Sequence, residues 1–288
     1  MTAGSASMAA VAGNRADLSA ARPLFFREQA QVLSNATLAA GLHELRLESP
    51  RIASAAAPGQ FVNVLVAEGW DPLLRRPMSI AGTGPGVITL IYKIIGRGTA
   101  AMSTWQPGDR ADLLGPLGRG WEVPADGFPV LLGGGVGIAP ILYLRQHLAA
   151  AGRTHHLIMG ARTIGEHFLG HEPEAGITLT SDDGSVGIGG TILDGLAHFR
   201  ESLNPSGGPL SLFGCGPPAM LAGLQRLATR EDVPCQLALE QTMACGFGFC
   251  QGCSVAMRPR PEPAAHSYRS RYKLACIDGP VFRAGELL

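Results

Sequence analysis

Neither sign of charge is in excess in this chain: 23 lysines and arginines balance 23 aspartates and glutamates. Nucleic acid and anionic membranes select basic surfaces, so neither is expected as a partner. The sequence also lacks any run of the ~20 apolar residues that a membrane-spanning helix needs. Its start shows no basic stretch followed by an apolar one, as a secretion signal would, and a cytoplasmic protein is expected. Residues 1–22 are small and polar with little to bury, which reads as a disordered tail. No internal repeat is present. The 288 residues leave room for two modest domains and a small third module, and nothing suggests one large barrel.

What is present is unevenly placed. Four of the six cysteines crowd near the end of the sequence, as Cys245-x4-Cys250-x2-Cys253 with a distant Cys276. A plant-type [2Fe-2S] site uses this spacing, because three near thiolates wrap one side of a small cluster and a later strand closes the other. Gly246, Gly248 and Gly252 between the ligands let the backbone bend and aim N–H groups at sulfur. Structural zinc and disulfides are the alternatives. Zinc usually takes paired short-spaced cysteines, and disulfides need an oxidising compartment. Cys215 and Cys235 fall outside the set and are expected as small buried apolar residues.

From Phe25 to about Val123, short apolar runs are punctuated by glycine and proline: Glu44–Leu47, Gln60–Val66, Val87–Lys93 and Arg110–Leu114. Alternation and close spacing predict an antiparallel barrel, interrupted by a helix over Thr99–Gln106. From Phe128 the rhythm becomes strand, glycine turn, helix: Pro129–Leu132, Gly133–Gly137, then Ile138–Ala150. Strands at His156–Gly160, Gly176–Thr180 and Pro209–Gly214, with a helix over Pro218–Arg230, predict a doubly wound parallel sheet covered on both faces. The expected divisions are a barrel over 23–126, an α/β domain over 127–236 and a cysteine module over 237–288. Arg258–Pro263 reads as an extended proline-rich excursion.

Gly133, Gly134, Gly135 and Gly137 lie between an apolar strand and a helix whose N–H groups and dipole suit a pyrophosphate. The loop departs from G-x-G-x-x-G, because Ile138 and Ala139 follow Gly137, and a tight structural turn is the alternative. Cys215-Gly216-Pro217 ends a later strand at the same edge. Asp182 and Asp183 end another, placed to accept ribose hydroxyls or simply to close a turn. In the barrel half, Arg75-Arg76-Pro77-Met78-Ser79 offers a fork-shaped cation for a diphosphate and a hydroxyl for a ring nitrogen. Gly98-Thr99 opens the short helix, a second anion-ready terminus. An exposed turn with surface arginines is the alternative there.

Together these motifs resemble the ferredoxin-reductase-like flavoproteins. Met243–Cys253 with Ala275–Phe282 narrows the likeness to the electron-transfer subunits of class 1B dihydroorotate dehydrogenase, over about residue 25 to the end. The resemblance implies FAD held through Arg76, Pro77, Met78 and Ser79, through Ile91-Tyr92-Lys93 and through Gly98-Thr99, with Arg76 on the phosphates and Ser79 at the flavin ring. It implies NAD(H) at Gly133–Gly137, at Asp182 and at Cys215-Gly216-Pro217, and a [2Fe-2S] cluster on Cys245, Cys250, Cys253 and Cys276. Lys93 stands where arginine is common, which weakens a bidentate phosphate contact. Met78 stands where many wider-family members have a stacking tyrosine, which leaves Tyr92 as the candidate ring. The implied role is electron transfer in pyrimidine biosynthesis, with no side chain acting as general acid or base. A (β/α)8 barrel alone takes ~250 residues, so dihydroorotate oxidation belongs to an FMN-containing catalytic partner, two of each chain forming the assembly. Asp182 and Asp183 would repel a 2′-phosphate, so NADH is expected over NADPH, with Arg162 as the opposing influence. An electron-transfer subunit of a ferredoxin oxidoreductase or hydrogenase complex is the alternative role.

Overall fold

The computed structural model describes residues 25–67, 73–202, 209–259 and 271–288. The expected N-terminal tail and most of the proline-rich excursion lie outside them.

The first unit is built from β1 (Phe26–Ala39), β2 (Leu42–Glu48), β3 (Phe61–Leu65), β4 (Arg76–Gly84), β5 (Val87–Lys93) and β6 (Arg110–Leu117). They close into an antiparallel barrel in the order β1-β2-β5-β4-β3-β6, which leaves no unpaired edge. The two-residue period of a strand decides what lies inside. Leu45, Leu47, Val62, Val64, Ile80, Ile88, Leu90, Tyr92 and Leu113 share one buried core, while residues between them face outward or onto the second unit. Two short helices plug this barrel, α1 (Pro50–Ala55) through Ile52 and α2 (Arg97–Met102) through Met102. Helix α2 begins earlier and ends sooner than the predicted Thr99–Gln106. Thr99 is its third residue, and its Oγ1 accepts the N–H groups of Ile95 and Gly96 at 3.0 and 3.3 Å. Residues 103–106 finish in turns.

One buried carboxylate ties three barrel segments together. Asp112 accepts from Arg27 Nε (2.8 Å), Gln29 Nε2 (2.9 Å) and Arg75 Nη2 (2.6 Å). Burial works to raise its carboxyl, but hydrogen bonds from the two guanidiniums outweigh it and hold the group below the usual range.

The second unit comprises β7 (Phe128–Gly134), α3 (Ile138–Ala150), β8 (His156–Ala161), β9 (Ile177–Ser181), β10 (Ile188–Gly189), α4 (Ile192–Ser202), β11 (Leu210–Cys215), α5 (Pro218–Glu231) and β12 (Cys235–Ala238). The chain then forms a hairpin of β13 (Ser254–Ala256) and β14 (Tyr272–Leu274) and returns as β15 (Val281–Arg283). The large sheet runs β10-β9-β8-β7-β11-β12-β15, parallel except for β15. The 236/237 division falls inside β12, and the cysteine module shares a core with this sheet: Cys253, Val255, Leu274 and Cys276 pack with Phe61, Leu212 and Phe282.

Helix α3 covers one face through Ile141, Leu144 and Leu148, and α4 and α5 cover the other through Leu196, Phe199 and Leu224. Helix α3 also docks on the barrel. Tyr143 Oη donates to Ala56 O at 2.8 Å, and Gln146 exchanges hydrogen bonds with the Thr83 backbone at 2.7 and 3.1 Å. The glycine loop that starts α3 is thereby fixed against both units. Among the described residues no helix is long and apolar enough to cross a membrane.

Candidate functional site

The ligand loop turns its backbone onto its own sulfurs: the Cys250 N–H donates to Cys245 Sγ and the Gly252 N–H to Cys250 Sγ, each at 3.4 Å. Cys253 and Cys276 are buried beneath it. Among the described residues no three His, Cys, Asp or Glu side chains converge as a single-ion site. Four cysteines suit a cluster of two irons, each iron taking two thiolates. Backbone does much of the electrostatic work. Burial pushes the Cys245 thiol up, but N–H groups of Cys250, Phe247 and Phe249 converge on it and bring it down to about 7. Such donors favour the thiolate that a metal needs. Cys276 is pushed the other way, up to about 12, by burial first and then by Cys253. Gly246 and Gly248 adopt φ of 80° and 90°, which let the loop fold over its own sulfurs. Phe247 and Phe249 pack edge to face, and Phe249 stays 85% exposed. Cys215 and Cys235 are buried, as expected, and burial raises both thiols.

The ligand loop rests on the barrel. Asn63 Nδ2 donates to Cys245 O at 3.2 Å across the two units. Asn63 and Phe61 of β3 face Pro77 and Ser79 of β4 in register, so all four share the outer face of the sheet. The cysteine loop and the Arg-Pro-Met-Ser strand are therefore neighbours.

Within that motif the side chains divide. Met78 packs toward the barrel core, and Arg76 lies at the rim against α2, where a Cβ on Gly98 would come within 3.1 Å of Arg76 Cζ. Arg76, Gly98 and Thr99 are thus brought together. Among the described residues Arg76 has one hydrogen bond, to Leu74 O at 2.5 Å, and a guanidinium carries five N–H donors. Arg75 is committed to Asp112. A guanidinium beside a helix N-terminus suits a diphosphate. The Thr99 hydroxyl is engaged within its own turn, donating to Gly96 O. Tyr92 is a correction to the stacking expectation: it is 1% exposed, inside the barrel, bonded to Asn35 Oδ1 at 3.0 Å and stacked on His43. No face of its ring is open. Ile91 points outward onto Ala139 at the junction with α3, and Lys93 lies close enough to Glu166 of the second unit to help lower its carboxyl.

At the sheet, β7 sits between β8 and β11, where the winding direction reverses and open α/β sheets bind ligands. The loops after β7 and β11 meet there. A Cβ on Gly134 would lie 2.6 Å from Met220 Sδ, and one on Gly137 would lie 2.6 Å from Gly216 Cα. Those glycines serve loop-on-loop packing. Gly135 differs, with φ of 54° and nothing near its Cβ position. Gly133 backs onto Ile138, and Pro217 packs near Gly134. Cys215 is pushed up by burial and then by the carboxylate of Glu240, a neighbour that the sequence pattern did not single out. At β9, Asp183 closes a turn on Ser185 at 2.6 and 3.0 Å, whereas Asp182 is exposed. Arg162 is clasped by Glu166, Nε to Oε1 at 2.9 Å.

Asn63 and Phe61 were also not singled out as functional. Asn63 had a signal, as a lone amide inside the apolar run Phe61-Val62-Asn63-Val64.

Residues 240–288 match the iron-sulfur cluster binding domain of dihydroorotate dehydrogenase B. The dihydroorotate dehydrogenase B (NAD(+)) electron transfer subunit of Geobacillus thermodenitrificans is 40% identical over 270 residues, covering 91% of this chain and 98% of that protein. The subunit of the same description from Desulforamulus reducens is 34% identical over 267 residues, covering 90% and 97%. A solved structure of the NADH-dependent reduced ferredoxin-NADP oxidoreductase superposes with a TM-score of 0.77 at 27% identity, covering 91% and 90%. Phthalate dioxygenase reductase, at 18% identity, TM-score 0.53 and coverage of 88% and 94%, shares the fold. Identity spread over nine-tenths of both chains, with a cysteine module seated on a barrel and a doubly wound sheet, places this chain in the family of electron transfer subunits of dihydroorotate dehydrogenase B (NAD(+)).

Proposed function

We propose that the chain is the electron-transferring half of a two-subunit oxidoreductase. It exchanges electrons between NAD(H), FAD and a [2Fe-2S] cluster on Cys245, Cys250, Cys253 and Cys276. Its partner is an FMN-containing catalytic subunit that oxidises dihydroorotate in pyrimidine biosynthesis, two of each forming a cytoplasmic assembly. The flavin supplies two-electron chemistry toward nicotinamide and one-electron chemistry toward iron and sulfur.

The observation that carries this reading is the seat of the ligand loop on the flavin strand, through Asn63 and Cys245. The chain's own residues then bind and orient. Arg76 and the backbone at Gly98-Thr99 hold the diphosphate of FAD. Ser79, half-buried on the outer face of β4, meets the flavin ring. Gly135 and the N-terminus of α3 receive the nicotinamide nucleotide's phosphates, and Asp182 its ribose. Domain divisions at about 23–126, 127–236 and 237–288 describe the parts, with β12 and β15 binding the last two into one body.

The test is division of labour. Purified chain with NADH should reduce artificial dyes but produce no orotate from dihydroorotate until the FMN-containing subunit is added. Orotate made by the chain alone would overturn the proposal. Binding no such subunit would favour the ferredoxin-oxidoreductase reading, which the 0.77 superposition supports.

A further inference from the structure

Asn63 is a buried amide with an incomplete set of partners. It is 1% exposed, and its Nδ2 donates to Cys245 O, while Oδ1 is buried with no donor among the described residues. A half-satisfied buried amide is worse for the fold than an apolar side chain of the same shape. Its neighbours Phe61, Val62 and Val64 are all apolar, so packing alone would favour leucine there. The feature that sets this position apart is the loop it holds.

The hold is close on both sides. A Cβ on Gly246 would lie 3.0 Å from Asn63 Cγ and nearer still to its Nδ2, so the first turn of the ligand loop lies flat on the amide. Behind it, the Asn63 carbonyl accepts from Arg75 Nη1 at 3.4 Å, and the same guanidinium grips Asp112. The amide therefore projects from a strand paired on both sides, to Pro77 of β4 and Leu114 of β6. A group on a rigid element fixes what it touches.

From this contact we infer that Asn63 is a positioning residue for the iron-sulfur loop: it pins Cys245-Gly246 to the outer face of the flavin strand and so sets how the cluster and the flavin are placed for electron exchange. The inference rests on the cofactor assignment above and adds to it a residue outside both binding motifs.

Asn63→Leu in the FAD- and cluster-loaded protein separates positioning from folding. Iron release to a chelator should quicken by about three- to tenfold, the factor carried by one neutral hydrogen bond. The EPR signal of the reduced cluster should broaden, and electron passage from reduced flavin to cluster should slow in rapid mixing. The temperature at which flavin fluorescence is released, a measure of the barrel itself, should not fall. Asn63→Ala, which removes the amide without adding bulk, should quicken iron release in the same way. Wild-type iron release and EPR in Asn63→Leu and Asn63→Ala would overturn the inference, as would a fall in flavin-release temperature that accounts for the whole effect. A wild-type chain without any [2Fe-2S] signal would refute the cofactor assignment instead.

Discussion

Two arginines adjacent in sequence should give opposite phenotypes when each is replaced by alanine. Arg75 lies 21% exposed with Nη2 2.6 Å from Asp112, so Arg75→Ala strips one of two guanidiniums from a buried carboxylate. Breaking a buried pair outright costs ~3–5 kcal/mol. Arg27 and Gln29 remain on Asp112, which brings the expected loss to about 2–3 kcal/mol, or roughly 3–5 °C in melting temperature for a chain of this size. Among the described residues Arg76 meets Leu74 O and the edge of α2. Its removal should leave the flavin-free melting temperature within about 2 °C, a surface-sized effect. A lost charge-assisted bond to phosphate costs ~1.5–3 kcal/mol, so FAD affinity should fall by about ten- to hundredfold. Flavin retained after exhaustive dialysis and the melting curve of stripped protein measure the two effects separately. Equal flavin retention in Arg76→Ala and wild type, or a flavin defect confined to Arg75→Ala, would refute the assignment.

Two further perturbations test other parts of the molecule. His156 is 6% exposed, stacked at 4.0 Å on Phe199 and bonded to Thr178 Oγ1 at 2.8 Å, and burial, with a smaller push from His155, lowers its pKa from 6.5 to about 4. The folded state then binds fewer protons than the unfolded one between those values, so its contribution is complete above pH 6.5 and is lost as pH falls toward 4, by at most about 3 kcal/mol. Urea midpoints across that window should drop, and His156→Phe should flatten the drop; an unchanged slope would refute it. For coenzyme choice, Glu166→Ala releases Arg162 from its clasp, and the efficiency ratio of NADPH to NADH should rise about tenfold, the factor of ~1.4 kcal/mol; a ratio that stays put would exclude Arg162 from the 2′-phosphate position.

The parts of the fold legible in sequence were those written in local chemistry. Val87–Lys93 alternates and is β5 residue for residue, and Ile138–Ala150 is α3, bracketed by glycine and by its own apolar content. Helices α1 and α4 were not anticipated. The first is six residues that matter only because Ile52 plugs the barrel, and the second starts on a Thr191–Asp194 cap and owes its place to Gly195, which lets it approach Thr180. The cysteine module was legible as a segment because ligand spacing is a local property, and residues 240–288 match an iron-sulfur cluster binding domain. The segments proposed for flavin and nucleotide were legible as strand and turn, but the directions of their side chains were not. Alternation along β4 sends Met78 inward and Ser79 outward, Asp112 takes Arg75 and leaves Arg76, and Tyr92 turns into the barrel. Such choices depend on strands far apart in sequence. The seat of the cysteine loop on Asn63 joins residues 182 positions apart, and no local pattern encodes it.

The central claim, that one chain joins a two-electron flavin to a one-electron cluster, is tested most directly by anaerobic reductive titration of the purified holoprotein with iron analysis and EPR. About two irons and about three electrons taken up per chain are expected, two by FAD and one by the cluster. A reduced [2Fe-2S] signal that Cys250→Ala abolishes is also expected. Stoichiometric zinc with uptake of about two electrons, or an intact cluster signal in Cys250→Ala, would contradict it.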